Sequence, residues 1–236
     1  MNIGIIGAGN IARTMAKTLQ EMEDANGYAI ASRSLGKAQA FAKEFEIEKA
    51  YGSYEEMLLD PKVDLVYVAT PHSHHYEHMK LCMEYKKPVL CEKAFTANAD
   101  QAEEVLKISE ENGIFAGEAM WTRFLPSRKM INEIIQSGEI GTIHMITANL
   151  GYEISQVERL RKPELAGGAL LDVGIYPLSF IRMVTDEKIT EMQTVCTKLE
   201  TGVDAQNTAF FRFENGCMAS MHSSMLGGTE QAGIVY

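Results

Sequence analysis

The first half of the chain alternates short apolar runs with longer amphipathic segments, and this pattern limits the fold more than any other feature. Five apolar runs predict strands, at 2–6, 28–32, 64–70, 88–92 and 114–118. The segments between them predict helices, at 10–22, 35–45, 53–59, 74–86 and 98–112. Strands that alternate with helices form βαβ units. Residues 1–118 are therefore predicted to form a doubly wound α/β domain with a parallel sheet.

The turn after the first predicted strand reads "GAGNIA", with Gly7, Gly9 and Ala12 in the three small positions. In a dinucleotide site such a turn brings a pyrophosphate close to the backbone, and the following helix N-terminus supplies N–H donors. The motif alone is weak, but here it follows a strand and opens a helix. We therefore expect a dinucleotide site at Gly7, Ala8, Gly9, Asn10 and Ile11; the alternative is a glycine-rich turn without a ligand.

The end of the second predicted strand indicates which dinucleotide is bound. An NAD site usually carries Asp or Glu here, to bind the ribose hydroxyls. This chain reads "ASRS", with Ser32, Arg33 and Ser34, and Lys37 follows. Because a guanidinium and hydroxyls suit an added phosphate, we favour NADP over NAD. The alternative is that Arg33 stacks on an adenine, which would permit both cofactors.

Composition excludes several classes of partner. The 236 residues carry a net charge of −10, so the chain as a whole repels nucleic acid and anionic membranes. No apolar run reaches the roughly 18 residues that a membrane span needs. The four cysteines are scattered, which is typical of reduced thiols. We expect a cytoplasmic protein that binds a small molecule.

The segment "PHSHHYEH", residues 71–78, holds four of the six histidines. His74 and His78 are four residues apart, as paired zinc ligands on a helix often are. However, the cluster follows the predicted strand at 64–70, at the edge where open α/β sheets bind ligands. A metal site needs three or four converging ligands. We therefore interpret the segment as a loop beside the cofactor and expect no metal.

The second half, residues 119–236, has a different pattern. A helix is predicted at 125–137 and strands at 141–152, 189–199, 206–213 and 217–225. Their partial alternation predicts an open, mainly antiparallel sheet with one covered face. Between the first two strands lies a loop and then a helix that contains "GGALLDVGIYP", residues 167–177.

Several motifs together identify a family resemblance. "ATPHSHH", "KPVLCEK" and "GGALLDVGIYP" resemble the glucose–fructose oxidoreductase, inositol dehydrogenase and MocA (Gfo/Idh/MocA) family. "GEAMWTRFLP", residues 117–126, is similar to its branch of dihydrodiol dehydrogenases and NADP-linked xylose dehydrogenases. The resemblance covers essentially the whole chain. It implies an NADP-dependent oxidoreductase for a small sugar, polyol or cyclic diol, with a Rossmann domain and a substrate domain whose open sheet mediates dimerisation.

The resemblance also implies further site residues. Those expected to line the cofactor are Thr70, Pro71, His75, Glu92, Lys93, Trp121 and Arg123. The chain departs from the family pattern in two ways. Ala94 stands where relatives usually have the proline of Glu-Lys-Pro. The chain also ends where relatives continue, so we expect the sequence to be a fragment.

Three residues are predicted to act in catalysis. Oxidising an alcohol requires a base for the hydroxyl proton while hydride leaves for nicotinamide. A nearby ammonium makes a tyrosine a stronger acid, so we assign Tyr176 as acid/base and Lys93 as its electrostatic partner. Asp172, four residues before Tyr176, is predicted to orient the substrate or the lysine. The competing class is a non-catalytic dinucleotide-binding sensor of the same fold.

Overall fold

The computed structural model describes residues 1–236, which fold into two compact units, Met1–Ala119 and Met120–Tyr236. The first unit is an α/β domain whose elements follow the predicted alternation. Its strands are β1 (Asn2–Ile6), β2 (Asn26–Ala31), β3 (Lys49–Tyr51), β4 (Leu65–Val68), β5 (Val89–Cys91) and β6 (Ala116–Glu118). Its helices are α1 (Asn10–Glu21), α2 (Leu35–Glu44), α3 (Tyr54–Leu58), α4 (His75–Glu84) and α5 (Ala99–Asn112).

The six strands form one parallel sheet in the order β3-β2-β1-β4-β5-β6. Each predicted strand and helix of this unit is confirmed to within two residues at either end. β3 was missed, because its three residues, Lys49–Tyr51, are too short to show a pattern.

Two apolar clusters lie on opposite faces of this sheet. Successive residues of a strand point to opposite faces, so Ile5 packs in one cluster and Ile6 in the other. Both side chains are fully buried. Burial on both faces explains why the strands are continuous apolar runs, as parallel sheets require.

The second unit contains a mixed sheet with helices. Its elements are α6 (Pro126–Ser137), β7 (Met145–Gly151), α7 (Ile175–Val184), β8 (Ile189–Lys198), β9 (Asp204–Phe213), β10 (Met218–Ser224) and β11 (Gly233–Val235). The strand order is β11-β7-β10-β9-β8. β10 runs parallel to β7 and the other pairings are antiparallel, so the sheet is mainly antiparallel, as predicted.

One face of the second sheet is covered and the other is open. Along β9, buried and more exposed residues alternate, with Phe211 and Phe213 buried and Phe210 54% exposed. The buried side chains pack with Ile181 of α7. β8 is exposed along its whole length, so the helix layer does not cover that edge of the sheet.

The stretch Pro163–Val184 corrects one expectation, because it is long and apolar enough to pass as a membrane span by length and composition. In the structure it is not one uniform helix. A 3-10 turn at Pro163–Leu165 and a π turn at Leu170–Gly174 precede α7. Ile181 and Val173 are buried within the second unit, as in the core helix of a folded domain. The stretch is weak evidence for a membrane span.

Candidate active site

The turn between β1 and α1 has the geometry that a bound pyrophosphate needs. Gly7 has φ +100°, and a Cβ there would lie 2.8 Å from the Ala69 carbonyl oxygen, so only glycine fits. A Cβ on Gly9 would meet nothing within 4 Å, and Ala12 is fully buried where α1 packs on the sheet. Gly9 caps α1 without a side-chain hydrogen bond. The first N–H groups of α1 are thus available to an anion at an open position.

The turn after the carboxyl end of β2 carries Arg33, whereas Ala31, the last residue of the strand, is buried. The hydroxyl of Ser34 accepts a hydrogen bond from the Lys37 backbone N–H at 3.5 Å and so caps α2. The hydroxyl of Ser32 accepts one from the Ser34 N–H at 3.4 Å. These hydroxyls order the turn, while the side chains of Arg33 and Lys37 are exposed. The turn can therefore offer two cations to a phosphate.

The histidine segment forms a hydrogen-bonded cluster at the carboxyl end of β4. His72–His74 make a 3-10 turn after Pro71, and His75 begins α4. The ring of His75 is fully buried, with Nε2 2.8 Å from the Thr70 carbonyl oxygen and Nδ1 2.8 Å from that of Ala94. His78 Nδ1 lies 3.0 Å from the Thr70 hydroxyl. No group of three or more His, Cys, Asp or Glu side chains is placed to hold a metal ion.

Glu92 and Lys93 follow β5. The Tyr67 hydroxyl donates to Glu92 Oε1, and the Lys93 backbone N–H donates to Glu92 Oε2 at 3.3 Å. Burial is the main cause that raises the pKa of Glu92, partly offset by the Tyr67 hydrogen bond and the Lys93 charge. The Lys93–Ala94 peptide bond is cis. The carboxylate thus anchors the backbone at which the Lys93 side chain begins.

In the second unit, Asp172 and Tyr176 lie at the junction of two helix types. Asp172 belongs to the π turn Leu170–Gly174, and Tyr176 lies in the first turn of α7. The expectation that both lie on one α-helix is therefore wrong in detail. Short π segments are rare and occur frequently at functional sites.

Each of these two side chains has a partner that is close in space and distant in sequence. The Trp121 indole N–H donates to the Tyr176 hydroxyl at 3.2 Å, with the rings 6.3 Å apart. Arg159 Nη2 donates to Asp172 Oδ1 at 2.8 Å. The Asp172 side chain is 8% exposed and that of Arg159 is 45% exposed. The second unit therefore holds a tyrosine oxygen that accepts a hydrogen bond and a buried carboxylate with a cationic partner.

Two family models match the chain, one in each unit. Residues 1–118 match the Gfo/Idh/MocA oxidoreductase family, described as having an NAD-binding Rossmann fold. Residues 129–235 match the C-terminal domain of the same family. The chain belongs to this family.

Proteins with known names agree with the Gfo/Idh/MocA assignment. The chain is 35% identical over 225 residues to trans-1,2-dihydrobenzene-1,2-diol dehydrogenase of Mus musculus, which covers 94% of this chain and 68% of that protein. It is 38% identical over 251 residues to D-xylose 1-dehydrogenase (NADP(+)) of Hypocrea jecorina, covering 94% of this chain and 63% of that protein. The chain thus spans about two thirds of the length of these relatives.

A solved structure shows the same fold. KijD10, a 3-ketoreductase of Actinomadura kijaniata in complex with NADP and TDP-benzene, matches with a TM-score of 0.91 and 26% identity, covering 100% of this chain and 73% of that one. The chain is therefore an oxidoreductase of the Gfo/Idh/MocA family with an NAD(P)-binding Rossmann domain.

The predicted cofactor residues of this Gfo/Idh/MocA protein fall into two groups. Those in the first unit gather at the carboxyl ends of β1, β2, β4 and β5, the edge at which open α/β sheets bind ligands. Trp121 and Arg123 belong to the second unit, where both are exposed in a 3-10 turn at Trp121–Phe124. Their contact with a cofactor remains a prediction.

Two site residues were not predicted from the sequence. Arg159 lies in the polar run "ERLRK", where several cations are equivalent in sequence, and it forms an ion pair with Asp172. Glu118 ends β6, and its Oε1 accepts a hydrogen bond from the Phe95 backbone N–H at 2.9 Å. The one sequence signal for Glu118 is its position at the end of a predicted strand. The carboxyl ends of parallel strands lie at the same edge of the sheet, where ligands bind.

Proposed function

We propose that the protein is an NADP-dependent dehydrogenase that oxidises a hydroxyl group of a small sugar, polyol or cyclic diol. The observation that carries this proposal is the Trp121 hydrogen bond to the Tyr176 hydroxyl at 3.2 Å. A hydrogen-bond donor that points at a phenolic oxygen stabilises the phenolate, and the phenolate can accept a proton. The named relatives act on a dihydrodiol and on xylose, which supports a substrate with a secondary hydroxyl or a hemiacetal hydroxyl.

The proposed chemistry divides between the bound dinucleotide and the protein. The dinucleotide, held by the Gly7–Ile11 turn and the turn that carries Arg33, would supply the acceptor for the hydride when bound. Tyr176 takes the hydroxyl proton as the C–O bond becomes a carbonyl, and in reduction it returns that proton. The ammonium group of Lys93 stabilises the developing negative charge on oxygen. Asp172, held by Arg159, orients a hydroxyl of the substrate through its carboxylate.

NADP is proposed as the preferred dinucleotide because of the β2 turn. Arg33 and Lys37 are exposed there, and no Asp or Glu occurs between Ala29 and Lys43. A bidentate guanidinium matches the 2′-phosphate of NADP, and a carboxylate would repel that phosphate.

This function is tested by measuring the turnover of a panel of sugars, polyols and cyclic diols with either NADP or NAD as the cofactor. Tyr176→Phe removes the hydroxyl and keeps the ring, so kcat should fall by roughly 10²–10⁴-fold while NADP affinity stays within a few fold. Activity within threefold of the parent at saturation would remove Tyr176 from the mechanism. NADP binding without any turnover would instead favour a non-catalytic sensor.

We also propose that the protein is a homo-oligomer that associates through its open sheet. Apolar side chains are exposed on β8, β9 and β10, at Met192, Val195, Phe210 and Met218, each by at least half. Such apolar surface is typical of an interface. A monomer in sedimentation equilibrium would contradict this assembly.

A cytoplasmic location is proposed from four unpaired cysteines and is testable by cell fractionation.

A further inference from the structure

The backbone around Lys93 is held by side chains from neighbouring elements. The Lys93 N–H donates to Glu92 Oε2 at 3.3 Å, and the Phe95 N–H donates to Glu118 Oε1 at 2.9 Å. Between them, the Ala94 carbonyl oxygen lies 2.8 Å from His75 Nδ1. Residues 93–95 lie beyond the end of β5. Three side chains therefore fix this segment where the strand no longer does.

The His75 ring joins the ends of two neighbouring strands. Its second nitrogen lies 2.8 Å from the carbonyl oxygen of Thr70, which follows β4. A neutral imidazole carries one N–H and donates to one of these carbonyls, whereas the doubly protonated ring donates to both. Burial is the main cause that lowers the pKa of His75, while the carbonyls of Ala94 and Thr70 oppose it.

This arrangement excludes His75 as the substrate's proton acceptor. In either protonation state both ring nitrogens face a carbonyl oxygen, and the ring is fully buried. Neither nitrogen therefore offers a lone pair to a substrate. A buried carbonyl that loses its donor is destabilising, so the ring has a structural reason to stay in place.

We propose that His75 and Glu118 are positioning residues for Lys93. The proposal rests on the function proposed above, because it takes Lys93 as the cation that stabilises the developing charge. His75 fixes the carbonyl of the residue after Lys93, and Glu118 fixes the next N–H. A displacement of about 1 Å at a reacting group costs on the order of 10²-fold in rate. Loss of either contact should therefore displace the Lys93 amine without removing it.

Four variants and one control test this role. His75→Phe keeps a ring and removes both contacts to the carbonyls, and His75→Gln keeps one donor in case the phenylalanine variant does not fold. Glu118→Leu removes the acceptor for the Phe95 N–H, whereas Glu118→Gln keeps an amide oxygen in its place. His74→Phe is the matched control, because His74 adjoins His75 and its Nδ1 bonds the Ser73 hydroxyl instead.

Two measurements separate this proposal from the proposed function. The first is the rate at which an N-hydroxysuccinimide acetate ester acetylates the Lys93 amine, measured by peptide mass spectrometry with Lys37 as internal reference. The acetylation rate can be measured even in a protein that does not turn over any substrate. The second is kcat, together with the Kd for NADP.

We expect the Lys93 acetylation rate to change by about threefold or more in His75→Phe and Glu118→Leu, and to remain near the parent value in Glu118→Gln and His74→Phe. In His75→Phe and Glu118→Leu we expect kcat to fall about tenfold or more, while the Kd for NADP stays within about threefold of the parent value. Altered acetylation in a protein without turnover would support positioning while the dehydrogenase function fails. An unchanged acetylation rate, with or without a loss of kcat, would overturn the positioning role.

Discussion

His78 should make the stability of the protein depend on pH in a defined window. Its ring is half-buried, with Nδ1 3.0 Å from the Thr70 hydroxyl and the ring centroid 4.8 Å from that of Tyr54. Burial, followed by the charges of His74, His75 and Arg33, lowers the pKa of His78 to about 4. The unfolded chain protonates this ring near its ordinary value of about 6.5.

The sign and size of the effect follow from these two values. Between about pH 6.5 and pH 4 the unfolded state binds a proton that the folded state does not, so the free energy of unfolding falls as pH falls. The stabilisation is fully present above about pH 6.5 and is lost by about pH 4. The difference between the two values corresponds to roughly 3 kcal/mol. Allowing for the partial exposure of the ring, we expect about 1.5–3 kcal/mol.

Urea unfolding at about pH 7.5 and about pH 4.5, followed by circular dichroism, measures this loss. The comparison is between the parent and His78→Gln, with His144→Gln as control, because His144 is exposed. Acidic side chains that titrate in the same range are common to all three proteins, so their contribution cancels. His78→Gln should lose about 1.5–3 kcal/mol less than the parent, and the control should match the parent. An equal loss in parent and His78→Gln would refute the reasoning.

Arg33→Asp should raise the Kd for NADP at least tenfold, about 1.4 kcal/mol, and leave that for NAD unchanged or lower, as measured by titration calorimetry. Equal weakening of both would mean that Arg33 does not contact the phosphate. Gly9→Ala should keep the free energy of unfolding within about 0.5 kcal/mol, because a Cβ there meets nothing within 4 Å, yet weaken NADP binding about tenfold or more. Gly167→Ala should behave in the opposite way, since its Cβ would lie 2.4 Å from the Leu160 carbonyl oxygen, and should lower the free energy of unfolding by about 1–3 kcal/mol in urea. Arg159→Met should destabilise the protein by about 1–3 kcal/mol through the buried Asp172 carboxylate, and Arg159→Lys should recover part of the loss; equal unfolding midpoints for all three would contradict the ion pair.

The fold was predictable because its determinants are local and periodic. Strands buried on both faces must be continuous apolar runs, and β1 and β4 show this directly in their sequence. The glycine turn could be placed for the same reason, since a positive φ at Gly7 is a backbone requirement that one residue type meets. β3 was missed because three residues are too few to define a period. The parallel pairing of β10 with β7 depends on contacts between segments about 70 residues apart, which periodicity does not reveal.

The site was predictable only as far as single residues carry a signal. Tyr176 and Asp172 stand in a recognisable motif, but their partners Trp121 and Arg159 lie 55 and 13 residues away. The Trp121 indole N–H occupies one hydrogen-bond position on the Tyr176 oxygen, and the Arg159 guanidinium occupies one on the Asp172 carboxylate. Sequence motifs therefore predict which side chains belong to the site, and only the folded chain shows which groups contact them.

Glycines in the two units are required for opposite reasons, one for open space and the others for close packing. A Cβ on Gly9 would occupy open space, so the absence of a side chain there leaves room for something outside the protein. A Cβ on Gly167 would collide with the Leu160 carbonyl oxygen, and one on Gly168 would lie 2.2 Å from Asp204 Oδ1. Asp204 in turn accepts the Leu170 N–H at 2.7 Å, at the start of the π turn that contains Asp172. The first glycine thus leaves open space at the turn predicted to bind the dinucleotide, and the later pair permits the close packing before the helix that carries Asp172 and Tyr176, a distinction that sequence alone does not express.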